Sequence, residues 1–137
     1  MKPHALHRHE PKLRVGFLLA PRFTLTAFAG FVDALRLAAD EGDRSRHALA
    51  QWSILDATDG PVTSSCGAVI TPNAPLASPR DYDYLVVVGG LLHGGQRVPA
   101  RLMHFLKEAA EAGVRLVGLC TGSFVLARAG LLDGYLA

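Results

Sequence analysis

The chain has 137 residues, of which half are hydrophobic and 19% are charged, and its formal net charge is +2. This composition excludes a largely disordered chain, and the length fits one domain of ordinary size. The weak positive charge lacks the clustering of a nucleic-acid-binding surface, and no apolar run reaches the roughly 18 residues that cross a bilayer. Because the N-terminus also lacks the apolar centre of a signal peptide, we expect a cytoplasmic protein with no membrane contact.

Residues 1–12 are predicted to form a flexible basic arm. The arm contains His4, His7 and His9. Nothing in this short polar segment fixes the geometry that a metal ion requires of its ligands. We therefore predict no metal site and no cofactor.

The first half of the remaining chain reads as a strand, a helix and further extended segments. Residues 13–20 form a short apolar run typical of a strand buried on both faces. Residues 47–58 have strand character, and residues 61–72 favour an extended segment or hairpin arm. Between them, steps of three and four predict an amphipathic helix, capped by Thr24 or Thr26 and ended near Gly42. Its apolar stripe comprises Phe28, Phe31, Val32, Leu35 and Ala39.

The second half alternates strands and helices more regularly. Residues 84–90 give the strongest strand prediction, and residues 114–119 predict another buried strand. A helix is predicted over 100–113, and a short helix over 120–132. Apolar strands alternating with helices indicate an α/β fold, with a mostly parallel sheet and helices on both faces, in one domain over 13–137.

The most specific motif is centred on Cys120. The residues Gly118-Leu119-Cys120-Thr121-Gly122 form a G-x-C-x-G sequence between a strand and a helix. This is the pattern of a nucleophile elbow, whose tight turn requires small flanking residues and pushes the central side chain outwards. The following helix N-terminus favours a thiolate there. The alternative is a small buried cysteine packed behind a strand.

A second group of candidates follows the strand at 84–88. Gly89 and Gly90 allow close backbone approach, and their N–H groups could bind an oxyanion or a carboxylate. The alternative is a plain turn. His93 is a candidate base or ligand contact, or an exposed loop histidine. Cys66 lacks any comparable context, so we predict a structural or incidental role for it.

These residues carry a family resemblance. The segments VVVGGLLHGG and VRLVGLCTGSFVLARAGLLDG, with FVDALRLA, resemble the ThiJ/PfpI superfamily of glutamine amidotransferase-like domains. The nearest resemblance is to the N-terminal sensor domain of AraC-type regulators. It implies a flavodoxin-like sandwich, usually dimeric, with Cys120 as the reactive group and Gly89 and Gly90 as backbone donors. Thr121 and His93 would lie beside a bound ligand.

The chain departs from the enzymatic members of that superfamily at two positions. Their helix-1 glutamate would fall near Ala27, and no carboxylate occurs in the helix before Asp33. Their histidine after the cysteine is replaced by Thr121. In the regulators, further strands and helices and then a helix-turn-helix module follow GLLDG, whereas this chain stops at Ala137. We therefore expect a domain incomplete at its C-terminus, with DNA contact only through a module absent from it.

Three functions are consistent with this sequence. The first is ligand sensing and dimerisation in an AraC-type transcriptional regulator, with a small metabolite bound near a non-catalytic Cys120. The second is a cysteine-dependent amidase or glyoxalase-like enzyme, in which His93 would replace the missing base. The third is a redox sensor that uses an oxidisable thiolate.

Overall fold

The computed structural model describes residues 13–40, 42, 44, 49–94 and 98–135. The predicted arm with its three histidines lies outside the described residues. The strands are β1 (Leu13–Leu19), β2 (Ala50–Ile54), β3 (Val62–Thr63), β4 (Val69–Ile70), β5 (Tyr84–Val88) and β6 (Arg115–Leu119). The helices are α1 (Leu25–Ala39), α2 (Ala100–Glu111) and α3 (Gly122–Arg128).

Four strands form one parallel sheet in the order β2-β1-β5-β6. β3 and β4 form a separate antiparallel hairpin, as the extended pattern over 61–72 allowed. Counting only the strands of the large sheet, the order is that of a flavodoxin-like fold, in which the direction of winding reverses between β1 and β5. Ligands of such sheets bind at this reversal, beyond the carboxyl ends of the strands.

The two faces of the sheet are covered by different helices, as predicted. On one face, buried residues of β1 and β5 pack with α1 around Phe17, Phe23 and Phe28. On the other face, Leu18, Leu85 and Val87 pack with α2 and α3. The predicted stripe of α2 is buried in full, at Leu102, Phe105, Leu106 and Ala109. β1 is buried on both faces from Val15 onwards, because it lies between two other strands.

The prediction that β6 is a buried strand is wrong. Among the described strands β6 lies at the edge of the sheet and pairs with β5 alone, so Arg115 and Gly118 are exposed and its other residues are half-buried. An apolar groove of about 510 Å³ runs beside it, lined in part by Leu116, Leu126 and Leu131. No described helix has the length and apolar character that a membrane span requires.

Two further features differ from the sequence prediction or add to it. The final helix begins at Gly122 and ends at Arg128, shorter than the predicted span of 120–132, because the elbow occupies its first two positions and Gly130 has a positive φ of 72°. The segment before β5, which the sequence patterns left unassigned, contains one 3₁₀ turn at Pro79–Asp81, whose start is capped by the Ser78 hydroxyl.

Candidate functional site

Three strand ends meet at one edge of the sheet. Leu19 of β1 pairs with Val88 of β5, and Val88 pairs with Leu119 of β6, so these strands end level with one another. The residues that follow them therefore emerge side by side at the reversal point of the sheet. We call Thr24, Gly89, Gly90, Cys120 and Thr121 the elbow site.

The predicted turn at Cys120 is present. Cys120 has a φ of 53°, in the left-handed region that a non-glycine residue rarely adopts. A β-carbon at Gly118 would lie 2.8 Å from the Ser123 nitrogen, and one at Gly122 would overlap the Val87 carbonyl oxygen. The two flanking glycines are thus required by close backbone contacts. Cys120 itself is exposed, which excludes the alternative of a cysteine buried behind the strand.

The hydrogen-bond partner of the Cys120 thiol in the described structure is Thr24. The Thr24 hydroxyl lies 3.4 Å from the Cys120 sulfur. Thr24, one of the two predicted capping residues, is the N-cap residue of α1, but its side chain makes no capping bond to that helix. The hydroxyl faces the elbow instead. Sequence patterns did not reveal this contact, because the two residues are 96 positions apart.

Gly89 and Gly90 follow β5 and contact the chain where β1 and β6 end. The Gly89 N–H donates to the Leu119 carbonyl at 3.1 Å, so it is already engaged within the protein. The Gly89 carbonyl accepts from the Thr24 N–H at 3.0 Å. A β-carbon at Gly90 would overlap the Arg22 carbonyl oxygen. Both glycines therefore allow neighbouring backbone segments to approach closely, as the glycine pair predicted.

Thr121 contacts the elbow site through its hydroxyl. That hydroxyl donates to the Gly90 carbonyl oxygen at 2.7 Å and makes no capping bond to α3. Thr121, at the position where the enzymatic members have a histidine, thus links the turn after β6 to the end of β5 through a hydrogen bond.

His93 lies in an exposed turn, and the hydrogen bond described for the Cys120 sulfur goes to Thr24 instead. The exposed Leu91 and Leu92 precede it and follow Gly90 directly. On α3, the Phe124 side chain is 53% exposed. These three apolar side chains are exposed on the segments that follow Gly90 and Gly122, and sequence analysis did not single them out. The exposure of these three large apolar side chains is the feature that identifies them as candidates for a binding surface.

The helix-1 position at which the enzymatic members carry a glutamate falls near Ala27 in this chain. Ala27 is half-buried against the α1 face of the core. Asp33 is exposed, and its carboxylate lies 3.8 Å from Arg36 on the same helix. In the part of the chain that the structure describes, no three His, Cys, Asp or Glu side chains come together as metal ligands would.

Cys66 lies in the turn between β3 and β4 and is exposed. Its sulfur is 3.3 Å from the Ser64 hydroxyl. Hydrogen bonds from that hydroxyl and from the Ala68 backbone lower the pKa of the Cys66 thiol below its ordinary value, because they stabilise the thiolate.

We expect Ser64→Ala to raise the pKa of Cys66 towards its ordinary value. A lowered pKa means more thiolate at neutral pH, so losing the hydroxyl should slow alkylation by iodoacetamide at pH 7. The two proteins should react alike at alkaline pH, where both thiols are ionised. Peptide mapping would give the rate for Cys66, with the rate for Cys120 in the same sample as the control. An unchanged Cys66 rate at pH 7 would contradict this role of Ser64.

Comparison with known proteins agrees with this geometry. The model of the DJ-1/PfpI family matches residues 13–136. The HTH-type transcriptional regulator GbdR of Pseudomonas aeruginosa is 42% identical over 122 residues, which are 88% of this chain and 32% of the regulator. The isonitrile hydratase of Pseudomonas putida is 32% identical over 89% of this chain and 50% of its own length.

A solved structure shows the same fold. The crystal structure of an AraC family transcriptional regulator from Pseudomonas putida is 31% identical and superposes with a TM-score of 0.70, over 90% of this chain and 64% of that one. This chain spans about a third of the length of the curated regulator it matches. With a family model that covers nearly the whole described chain, and with the elbow in place, the chain belongs to the DJ-1/PfpI family.

Proposed function

We propose that this chain is the ligand-sensing and dimerising domain of an AraC-type transcriptional regulator, and that a small metabolite binds at the elbow site. The observation that carries the proposal is the environment of Cys120. The thiol is exposed at the reversal point of the sheet, and its partner among the described residues is the neutral Thr24 hydroxyl. An exposed thiol whose hydrogen-bond partner among the described residues is neither an acid nor a base suits binding better than turnover.

The similarity to regulators supports the same conclusion. The match to GbdR covers 88% of this chain, and the matched solved structure is a regulator of the AraC family. DNA binding would then belong to a module in the part of the regulator that lies outside the matched third. We propose that the regulator is cytoplasmic, because a protein that controls transcription must reach the DNA.

The side chains at the elbow indicate the class of ligand. The thiol and the Thr24 hydroxyl offer small polar contacts, while the exposed Leu91 and Phe124 offer apolar ones. This mixture suits a small amine, amino acid or amide metabolite with a short apolar part. Such a ligand would shift the regulator between two states only by the difference in its affinity for them.

The proposed homodimer is supported by exposed apolar surface. Leu91, Leu92 and Phe124 are exposed around the elbow, and Leu132 and Tyr135 are exposed near the β6 edge. Contiguous apolar surface on a small domain is typical of an interface between chains. Because both groups are exposed in the chain by itself, we propose that a second copy covers one of them.

A thermal-unfolding screen with small amines, amino acids and amides would test the proposal. A ligand that binds the folded chain stabilises it by RT ln(1 + [L]/Kd), about 2.7 kcal/mol at a hundredfold excess over Kd. We expect hits whose effect is lost after Cys120 is alkylated in a Cys66→Ser background. Hits that persist after alkylation would show that the ligand binds elsewhere. A chain that sediments as a monomer at every concentration tested would contradict the proposed dimer.

A cysteine-dependent enzyme is the second candidate, and the likeness to an isonitrile hydratase favours it. In that case Cys120 would attack an isonitrile or a carbonyl carbon, and a water molecule would have to be activated by a group other than Thr24. Turnover of an isonitrile that disappears in Cys120→Ala would establish this function. Equal rates with and without the thiol would exclude it.

A further inference from the structure

We propose that Asp133 isomerises spontaneously to isoaspartate, and that the fold protects Asp59 from the same reaction. The sequence contains two Asp-Gly dipeptides, Asp59-Gly60 and Asp133-Gly134. Aspartate before glycine is prone to this modification, because glycine has no side chain to hinder the approach of its nitrogen to the aspartate carboxyl group. The inference concerns a covalent change of the main chain and does not depend on the proposed function.

The reaction joins the main chain to the aspartate side chain. The nitrogen of Gly134 attacks the carboxyl carbon of Asp133, a C–N bond forms, a C–O bond of the carboxyl group breaks, and one water molecule leaves. The product is a five-membered succinimide ring, which water then opens at either of its two carbonyl carbons. One opening restores aspartate, and the other gives isoaspartate, whose main chain runs through the β-carbon. No oxidant or reductant takes part, but the glycine nitrogen must be free to reach the carboxyl group.

Asp133 and Gly134 are the two central residues of an exposed turn. The Tyr135 N–H closes the turn by donating to the Leu132 carbonyl at 3.2 Å, so the closing bond does not use the Gly134 N–H. Both central residues are exposed, and Gly134 has a φ of 83°. Among the described residues, nothing accepts a hydrogen bond from the Gly134 N–H or pairs with the Asp133 carboxylate. The nitrogen and the carboxyl group are therefore free to approach each other.

The second dipeptide is held by hydrogen bonds and an ion pair. The Gly60 N–H donates to the Asp56 carboxylate at 2.9 Å, so the nitrogen that would attack is engaged. The Asp59 carboxylate lies 3.0 Å from the Arg101 guanidinium. That guanidinium also donates to the Asp56 carbonyl at 2.8 Å, which ties this turn to the start of α2. Before a ring can form here, the Gly60 hydrogen bond must break and the Asp59 carboxylate must leave Arg101.

Isomerisation at Asp133 would change the surface beside β6. Isoaspartate adds one carbon atom to the main chain, and in this turn the added atom lies between Leu132 and Tyr135. Both of these residues line the apolar groove beside β6. An aged chain would therefore present a different apolar surface at this edge of the sheet.

Ageing of the folded chain followed by peptide mapping would test the proposal. The chain is kept at neutral pH below its unfolding temperature, and aspartyl and isoaspartyl peptides are separated by chromatography and identified by mass spectrometry. The same chain in urea gives the unhindered rate for each dipeptide. We expect Asp133 to react in the folded chain at nearly its rate in urea. We expect Asp59 to react at least roughly tenfold more slowly than in urea, because a hydrogen bond to a charged group must break first.

Asp56→Ala is the variant that tests the protection of Asp59. It removes the acceptor of the Gly60 N–H, so the rate at Asp59 should rise towards its value in urea, while the rate at Asp133 stays the same. If Asp56→Ala unfolds the chain, Arg101→Gln releases the Asp59 carboxylate instead and should also raise that rate.

Three results would overturn the proposal. One is an Asp133 that is slowed by folding as strongly as Asp59. Another is an Asp59 that reacts faster in the folded chain than in urea, because the Asp56 carboxylate would then be taking the Gly60 proton and assisting the attack. The third is a rate at Asp59 that stays low in folded Asp56→Ala and in Arg101→Gln, which would show that these contacts do not protect it.

Discussion

Gly122→Ala is expected to destabilise the chain by about 3 kcal/mol or more, a large part of the roughly 5–15 kcal/mol that stabilises a domain. A β-carbon at residue 122 would overlap the carbonyl oxygen of Val87 in β5. Because both partners are backbone or β-carbon atoms, no change of side-chain rotamer relieves the overlap. Urea unfolding followed by circular dichroism would measure the loss.

Gly30→Ala is the matched control for that substitution. Gly30 lies on the exposed side of α1, and a β-carbon there would have no atom within 4 Å. Alanine is a better helix former than glycine, so this variant should gain about 0.5–1 kcal/mol. If Gly122→Ala unfolded at the same urea concentration as the unchanged chain, the elbow would not pack against the backbone of β5 as closely as described.

Phe17→Ala is expected to cost about 3–5 kcal/mol, because it removes a large side chain from the α1 face of the core. Phe17 is fully buried, and its ring meets those of Phe28 and Phe31 edge to face, with centroid distances of 5.3 and 5.8 Å. Such aromatic pairs add about 0.5–1.5 kcal/mol beyond the buried area.

Leu37→Ala provides the comparison for Phe17→Ala. Leu37 is also apolar and lies on α1, but it is 62% exposed. Its truncation should change the free energy of unfolding by less than about 0.5 kcal/mol. Equal losses for the two variants would show that α1 does not cover the sheet at Phe17.

The elements that could be predicted from the sequence are those set by local pattern. The four buried residues of α2 share one stripe at helical spacing, so periodicity alone identified them. The elbow was equally predictable, because its glycines are needed at fixed positions beside Cys120. In both cases, the residues that decide the structure are close together in the chain.

What the sequence did not reveal depends on contacts between distant residues. β6 has an apolar sequence like that of a central strand, but its place at the edge follows from the order of strands in the sheet. The approach of Thr24 to Cys120 likewise depends on β1 and β6 lying on either side of β5. Local patterns carry no information about such pairings.

We propose that a small metabolite binds at the elbow site, and the amide chemical shifts of the chain would report such binding residue by residue. A hit from the thermal screen would be titrated into isotope-labelled chain while the amide signals of Gly90, Cys120 and Thr121 are followed. We predict that these signals move together and saturate with one Kd, while signals of the groove beside β6, such as that of Leu131, stay in place. Shifts confined to that groove, with the elbow signals unmoved at saturation, would contradict the claim.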